Sequence, residues 1–219
     1  AFFERHGSAG IAVLEETLAA LRDVGTLSVL DVKRGDIGST MAGYAQAYLS
    51  DGAPLAADSI TVSPYLGYGS LAPALDLAEA GGRGVFVLAL TSNPEGTTVQ
   101  HAVSGERAVA AEVVEGVTAS NAAARGEGGL GSIGLVVGAT VGEAISRLGI
   151  DLLRANGPLL APGVGAQGAG ATELESVFGP ARRHVLASTS RGVLKAGPSI
   201  EALRAAALAA THEAAAALR

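Results

Sequence analysis

The sequence of 219 residues contains no cysteine and no tryptophan, and aromatic residues make up only 4% of it. Without cysteine the chain has no disulfide framework, no thiolate zinc site and no cysteine nucleophile, which gives a slight preference for the cytoplasm. Charged residues are also sparse, at 16%, whereas hydrophobic residues reach 48%. This balance excludes an intrinsically disordered chain, because disorder requires low hydrophobicity and high charge.

The chain also lacks a basic stripe and a long apolar run. Its formal net charge is −6, and no basic stretch is interleaved with aromatic residues, so we expect no nucleic-acid partner. The longest apolar run, around Val85–Leu90, suits a buried strand and is far too short to cross a bilayer. We therefore expect one globular domain, residues 1–219, with no membrane partner.

Short β-rich runs alternate with amphipathic segments along the chain. Most of the runs are bounded by Gly or Pro and are apolar almost throughout, as parallel strands covered on both faces should be. The predicted strands are Leu27–Val32, Ser59–Ser63, Gly84–Leu90, Ser132–Ala139, Pro158–Ala161 and His184–Ala187. This alternation predicts an α/β fold with a parallel sheet, and both a closed (β/α)₈ barrel and an open doubly wound sheet fit it.

Helix signals fill the intervals between these runs. Apolar residues at helical spacing predict helices between Ser8 and Gly25, over Met41–Leu49, from Val109 to about Gly126, and over roughly Ser199–Leu218. Two pairs have the capping-box spacing and predict two further helix N-termini. These pairs are Thr140 with Glu143 and Thr172 with Glu175.

The segment Leu27–Thr40 carries the clearest chemical signal. Side chains alternate along a strand, so Asp31 and Lys33 lie on one face, at the carboxyl end where active sites of parallel α/β proteins occur. Lys33 and Lys195 are the only lysines among the 15 basic residues. Because arginine stays charged and lysine can lose its proton, a lysine kept here suggests proton transfer. For an isolated Asp-x-Lys, a structural ion pair that caps the strand remains the alternative.

The wider pattern is Asp-x-Lys-Arg-x-Asp-Ile-x-x-Thr, formed by Asp31, Lys33, Arg34, Asp36, Ile37 and Thr40. It closely resembles the signature of the orotidine 5′-monophosphate decarboxylases, in particular the longer bacterial branch of that family. The resemblance continues, in family order, along most of the chain. The other matching segments are Phe2–Glu4, Ser63–Tyr68, Thr91–Pro94, Pro162–Gly168 and Ser188–Gly192.

The resemblance implies a (β/α)₈ barrel that works as a homodimer. The implied reaction belongs to pyrimidine biosynthesis: it converts orotidine monophosphate to uridine monophosphate and CO₂ without a metal or an organic cofactor. An eight-stranded barrel exceeds the six predicted strands, although Ala1–Glu4 could be the end of another. We therefore expect the chain to lack the first strand–helix unit and most of the second strand, which in the family carry an aspartate and a lysine.

The resemblance also implies roles for individual residues. Lys33 would deliver a proton to C6, Asp31 would lie beside the departing carboxylate, and Asp36 would reach into the partner's site. A fixed ammonium suits this reaction because it stabilises the negative charge that develops at C6 and then supplies the proton. The remaining implied contacts are with substrate: Thr40 near the charged network, Ser92 at the pyrimidine edge, and Gly165, Gln167 and Arg191 at the phosphate.

Other interpretations are weaker but remain open. Gly163–Gly168 fits the spacing of a dinucleotide-binding loop, yet the region 186–190 lacks the acidic residue that such a site needs. The histidines, which are His6, His101, His184 and His212, have no metal-ligand spacing. Two alternatives stay possible: a sister barrel that performs metal-assisted chemistry on a sugar phosphate, and a non-catalytic barrel that binds a nucleotide.

Overall fold

Helices alternate with strands in the computed structural model, which describes residues 1–164 and 170–218. The strands within these residues are β1 (Val29–Arg34), β2 (Ser59–Val62), β3 (Gly84–Leu90), β4 (Val103–Ser104), β5 (Arg107–Ala108), β6 (Ile133–Val137), β7 (Leu159–Pro162) and β8 (Val185–Ser188). The α-helices are α1 (Gly7–Asp23), α2 (Gly38–Leu49), α3 (Ala72–Ala80), α4 (Thr97–Gln100), α5 (Val109–Ser120), α6 (Ala122–Gly126), α7 (Ala144–Arg147), α8 (Ala171–Phe178), α9 (Arg191–Leu194) and α10 (Ile200–Ala217). The chain divides into two compact units, Ala1–Leu88 and Ala89–Arg219.

The first unit contains β1, β2 and β3 up to Leu88, paired in parallel in that order. All of β2 is buried, and its Ile60 and Val62 are fully inaccessible because β1 and β3 flank it. Helices α2 and α3 pack against each other and bury Met41, Leu49 and Ala74. Burial of these apolar side chains supplies the main stabilisation of the unit and fixes the strand ends where the charged residues lie.

The second unit contains β6, β7 and β8, again paired in parallel. Strand β6 is buried throughout, and α5 packs on it with Val117 fully buried. The amide of Gly138 donates to the carbonyl of Leu90 at 2.9 Å and thereby fixes the chain just after β6. The sequence misses one feature of this unit, the short antiparallel hairpin of β4 and β5, whose turn contains Gly105 with φ of +66°.

The six predicted strands are present with small shifts at their ends. The largest shift concerns β1, which begins at Val29 and continues to Arg34 instead of spanning Leu27–Val32. Before the strand, the amide and the hydroxyl of Ser28 both donate to the Asp58 carboxylate, at 2.8 and 2.7 Å. Ser28 is therefore held by a side chain, and the strand starts after it.

Three local predictions are wrong. Thr140 and Glu143 do not cap a helix, because Gly142 between them has a φ of +58° and α7 begins only at Ala144. Helix α8 begins before Thr172, and the Glu173 carboxylate, not Glu175, accepts the amide of Gly170 at 2.8 Å. Ala1–Glu4 is not the end of a strand, because the amides of Arg5 and His6 bond back to the carbonyls of Ala1 and Phe3 and curl the backbone.

The final helix matches its prediction. Helix α10 spans Ile200–Ala217, and the Ser199 hydroxyl accepts the amide of Ala202 at its N-terminus, as an N-cap serine does. Among the described residues, no helix is both long and apolar enough to span a membrane.

Candidate active site

Asp31 and Lys33 form an ion pair at the carboxyl end of β1. The Nζ atom of Lys33 lies 2.5 Å from Oδ2 of Asp31, and the two side chains are 52% and 58% exposed respectively. They share a face because side chains alternate along the strand, as the sequence predicts. The pair therefore presents a carboxylate and an ammonium together to the surroundings.

The strand is irregular at this point. Leu30 pairs with Ile60 and Arg34 pairs with Val62, so β1 has two more residues than β2 between these pairs. Lys33 has a φ of +48°, which is rare for a residue with a side chain and marks the bulge. The bulge leaves the alternation of side chains intact, and the ammonium of Lys33 still reaches the carboxylate two residues earlier.

Thr61 of β2 lies opposite the bulge and contacts both members of the pair. Its hydroxyl donates to Oδ1 of Asp31 at 2.7 Å and accepts the backbone amide of Lys33 at 3.0 Å. Thr61 matches none of the motifs in the sequence. The available signal is that Thr61 is a polar side chain between two apolar residues of a buried strand.

Gly35 allows the chain to turn closely past β2 after the bulge. The amide of Ser63 donates to the carbonyl of Arg34 at 2.7 Å. A Cβ atom on Gly35 would lie only 2.3 Å from the carbonyl oxygen of Ser63, well inside contact distance. Only glycine fits this approach, so Gly35 helps to fix the backbone that follows Lys33.

Arg34 points away from the pair and anchors the strand end to neighbouring elements. Its guanidinium forms an ion pair with Glu4, donates to the Tyr48 hydroxyl at 3.3 Å and lies over the rings of Tyr44 and Tyr48 at 5.6 and 5.9 Å. Hydrogen bonding from Arg34 holds the pKa of the Glu4 carboxyl below its ordinary value. These contacts link the Phe2–Glu4 segment to the end of β1.

Asp36 and Thr40 lie close to the pair in sequence, but the structure does not join them to it. Oδ1 of Asp36 accepts the amide of Ile37 at 2.8 Å, just before α2 begins. Within residues 1–164 and 170–218 the carboxylate forms no ion pair. Thr40 is exposed on the first turn of α2. The Asp36 carboxylate therefore holds the backbone at the start of α2, and the Thr40 side chain stands on the surface of that helix.

Ser92 lies in the second unit, in the exposed loop after β3. Gln100 clamps this loop, because its amide group accepts from the Thr91 amide at 3.0 Å and donates to the Thr91 hydroxyl at 2.7 Å. Thr91 then donates to Asn93, at 2.7 Å. The loop that carries Ser92 is thus held by side chains, and the sequence analysis did not identify Gln100.

The remaining predicted binding residues also belong to the second unit. Arg191 is exposed and begins α9, three residues after the end of β8. Its guanidinium is therefore accessible to an anion at the carboxyl end of a parallel strand. Gly165 and Gln167 lie outside the described residues. Across the part of the chain that is described, no group of three His, Cys, Asp or Glu side chains could hold a metal ion.

Comparisons with known proteins agree on one family. The model of the orotidine 5′-phosphate decarboxylase / HUMPS family matches residues 1–206. The orotidine 5′-phosphate decarboxylase of Salinispora arenicola is 60% identical over 208 residues, which cover 94% of this chain and 72% of that protein. The one from Streptomyces coelicolor is 59% identical over 209 residues, with the same coverage.

A solved structure extends the agreement to the fold. The crystal structure titled as an orotidine 5′-phosphate decarboxylase from Streptomyces avermitilis matches with a TM-score of 0.91 and 57% identity. The match covers 99% of this chain and 74% of that one. It confirms the α/β fold of the barrel class that the sequence predicts. This chain belongs to the orotidine 5′-phosphate decarboxylase / HUMPS family.

Proposed function

We propose that this chain is a carbon–carbon lyase that converts orotidine 5′-monophosphate to uridine 5′-monophosphate and CO₂. The observation that carries the proposal is the Asp31–Lys33 ion pair at the end of β1, with 2.5 Å between its charged atoms. It stands within the sequence pattern of a family whose model matches residues 1–206. That single match also supports treating residues 1–219 as one catalytic domain.

The proposed chemistry uses Lys33 as the acid. The bond between C6 and the carboxylate breaks, CO₂ leaves, and the electron pair remains on C6. The ammonium of Lys33 stabilises this charge because it is fixed nearby, and it then transfers one proton to C6. Lys33 regains a proton from solvent, so each turnover consumes one proton and needs no oxidant, metal or cofactor.

Asp31 holds the ammonium of Lys33 in place in this proposal, because the charged atoms of the two side chains lie 2.5 Å apart. Asp36 and Thr40 would complete the site of a second subunit, which makes the enzyme a homodimer. Support for this assignment comes from the family pattern and from the absence of an ion pair at Asp36 among the described residues.

Substrate recognition is assigned to the second unit. Ser92 would bond the pyrimidine edge, and its loop is fixed by Gln100. Arg191 would bind the phosphate, because a planar guanidinium forms two parallel bonds to phosphate oxygens. Gly165 and Gln167 would contribute to the phosphate end. The family resemblance supports a small-molecule substrate and a cytoplasmic enzyme, with no nucleic-acid partner.

The two lysines provide a matched test. We expect Lys33→Ala to lower the rate of uridine monophosphate formation by at least about 10³-fold, because it removes both the charge and the proton donor. Lys195→Ala removes the other lysine, an exposed one, and should leave the rate within about twofold. The assay follows conversion of orotidine monophosphate by the purified full-length protein.

Other results would lead to a different function. Wild-type protein that binds uridine monophosphate in calorimetry but produces none would indicate a non-catalytic nucleotide-binding barrel. Turnover that survives Lys33→Ala would refute the role of Lys33. A dependence on added divalent metal, with a sugar phosphate as the substrate, would identify a sister enzyme.

A further inference from the structure

The irregularity in β1 changes the hydrogen-bond acceptor of the Lys33 amide, which is the Thr61 hydroxyl. In a regular parallel ladder, alternate amides of a strand donate to backbone carbonyls of the neighbouring strand. Between Leu30 and Arg34 the register of β1 slips by two residues against β2, and Lys33 adopts a φ of +48°. The amide of Lys33 then donates to the Thr61 hydroxyl at 3.0 Å, and a side-chain oxygen replaces the ladder carbonyl.

The direction of each hydrogen bond at Thr61 follows from the donors present. A backbone amide can only donate, so the hydroxyl oxygen accepts from Lys33 and its own proton remains available. That proton goes to Oδ1 of Asp31 at 2.7 Å, since a carboxylate only accepts. One hydroxyl thus holds the backbone of the lysine and the side chain of the aspartate simultaneously.

Thr61 is buried, whereas the Asp31–Lys33 pair that it bonds is exposed. Thr61 is 0% exposed, whereas both charged side chains are more than half exposed. An exposed ion pair by itself is weak and leaves two flexible side chains free to move. Thr61 is fixed by the packed strand β2, so it can impose one geometry on groups that lack packing of their own.

We propose that Thr61 is a positioning residue that sets the geometry of the Asp31–Lys33 pair for proton transfer. This inference rests on the proposed decarboxylation. The hydroxyl acts through the lysine backbone and the aspartate oxygen, to which it is bonded. Small displacements of a reacting group are costly, because productive geometry requires close approach and alignment.

The test removes the hydroxyl without changing the shape of the side chain. We expect Thr61→Val to lower kcat by about 10- to 100-fold while KM for orotidine monophosphate stays within about threefold. Thr61→Ser keeps the hydroxyl and should retain kcat within about threefold of wild type. Thr118→Val is the matched control, since Thr118 is also buried but its hydroxyl donates to the Val114 carbonyl of its own helix.

A second measurement reports the geometry independently of activity. Hydrogen exchange at the Lys33 amide, followed by NMR, should be at least about fivefold faster in Thr61→Val and near the wild-type rate in Thr61→Ser. If Thr61→Val does not fold, Thr61→Ala takes its place, and the same limits on kcat, KM and the exchange rate of the Lys33 amide apply to it.

The two proposals fail in different ways. Wild-type turnover together with a Thr61→Val kcat within threefold overturns the positioning role, as does a Thr61→Ser variant that is equally impaired. Wild-type protein without turnover overturns the proposed function instead. In that case the exchange rate of the Lys33 amide alone decides whether Thr61 holds the pair: unchanged exchange in Thr61→Val refutes it.

Discussion

Asn121 is a buried polar residue whose removal should destabilise the second unit strongly. It is 2% exposed and directly follows α5. Its Nδ2 donates to the carbonyls of Ile133 and Ala155, at 2.7 and 2.8 Å. Its Oδ1 accepts the amide of Ile133 at 3.3 Å. The Asn121 side chain therefore bonds the amide and the carbonyl of Ile133, at the start of β6, and the carbonyl of Ala155, in the segment before β7.

The expected loss can be worked from these three bonds. Each buried hydrogen bond contributes about 1 kcal/mol net, and a buried backbone group left without a partner costs about 1–3 kcal/mol. Asn121→Ala removes three bonds and strands three backbone groups, which sums to about 3–9 kcal/mol if nothing relaxes. Because single substitutions exceed about 5 kcal/mol only exceptionally, we expect the free energy of unfolding to fall by about 3 to 5 kcal/mol. The neighbouring backbone is close: a Cβ on Gly131 would lie 2.1 Å from the Asn121 amide oxygen.

Urea unfolding followed by circular dichroism measures this loss. Thr17→Ala serves as the control, because its hydroxyl makes one exposed bond to the Val13 carbonyl within a helix. We expect that variant to lie within about 0.5 kcal/mol of wild type. If Asn121→Ala lowers the free energy of unfolding by less than about 1 kcal/mol, then water or a backbone shift bonds the three backbone groups, and the sum given above is refuted.

Two further predictions concern the first unit. Burial alone would raise the pKa of the Asp58 carboxyl, but the hydrogen bonds from Ser28, the charge of Arg83 and the Asp58 backbone amide together hold this pKa below its ordinary value. The ionised carboxylate of Asp58 therefore stabilises the fold fully above about pH 4, and this stabilisation is lost as the pH falls through the lowered pKa. We expect Asp58→Asn to lower the free energy of unfolding by about 1 kcal/mol at pH 7 and by less in acid. A difference between the two proteins that stays constant with pH would contradict this. Gly35→Ala places a Cβ 2.3 Å from the Ser63 carbonyl, and we expect a loss of about 1–3 kcal/mol in thermal unfolding together with reduced turnover. Gly43→Ala, which meets no atom within 4 Å, should be neutral or stabilising, and equal behaviour of the two variants would disprove the close approach.

The sequence determined the order of the elements and the location of the charged pair. Apolar runs such as Gly84–Leu90 mark buried strands whatever their partners, because burial of both faces requires nearly continuous apolar residues. The period of two along a strand also places Asp31 and Lys33 on one face without further information. The alternation of apolar runs with amphipathic segments therefore predicted the α/β class, and the period of the strand predicted the Asp31–Lys33 pair.

Tertiary structure decided the geometry of that pair. The register of β1 against β2 depends on contacts between residues about 30 positions apart, and no local pattern specifies where it slips. Thr61, Gly35 and the backbone of Lys33 acquire their roles only after that slip. Local signals failed for a similar reason at Thr140, where the capping spacing is present but the positive φ of Gly142 stops the helix. The local sequence thus determines which side chains can take part in the site, whereas strand pairing determines the distances between them.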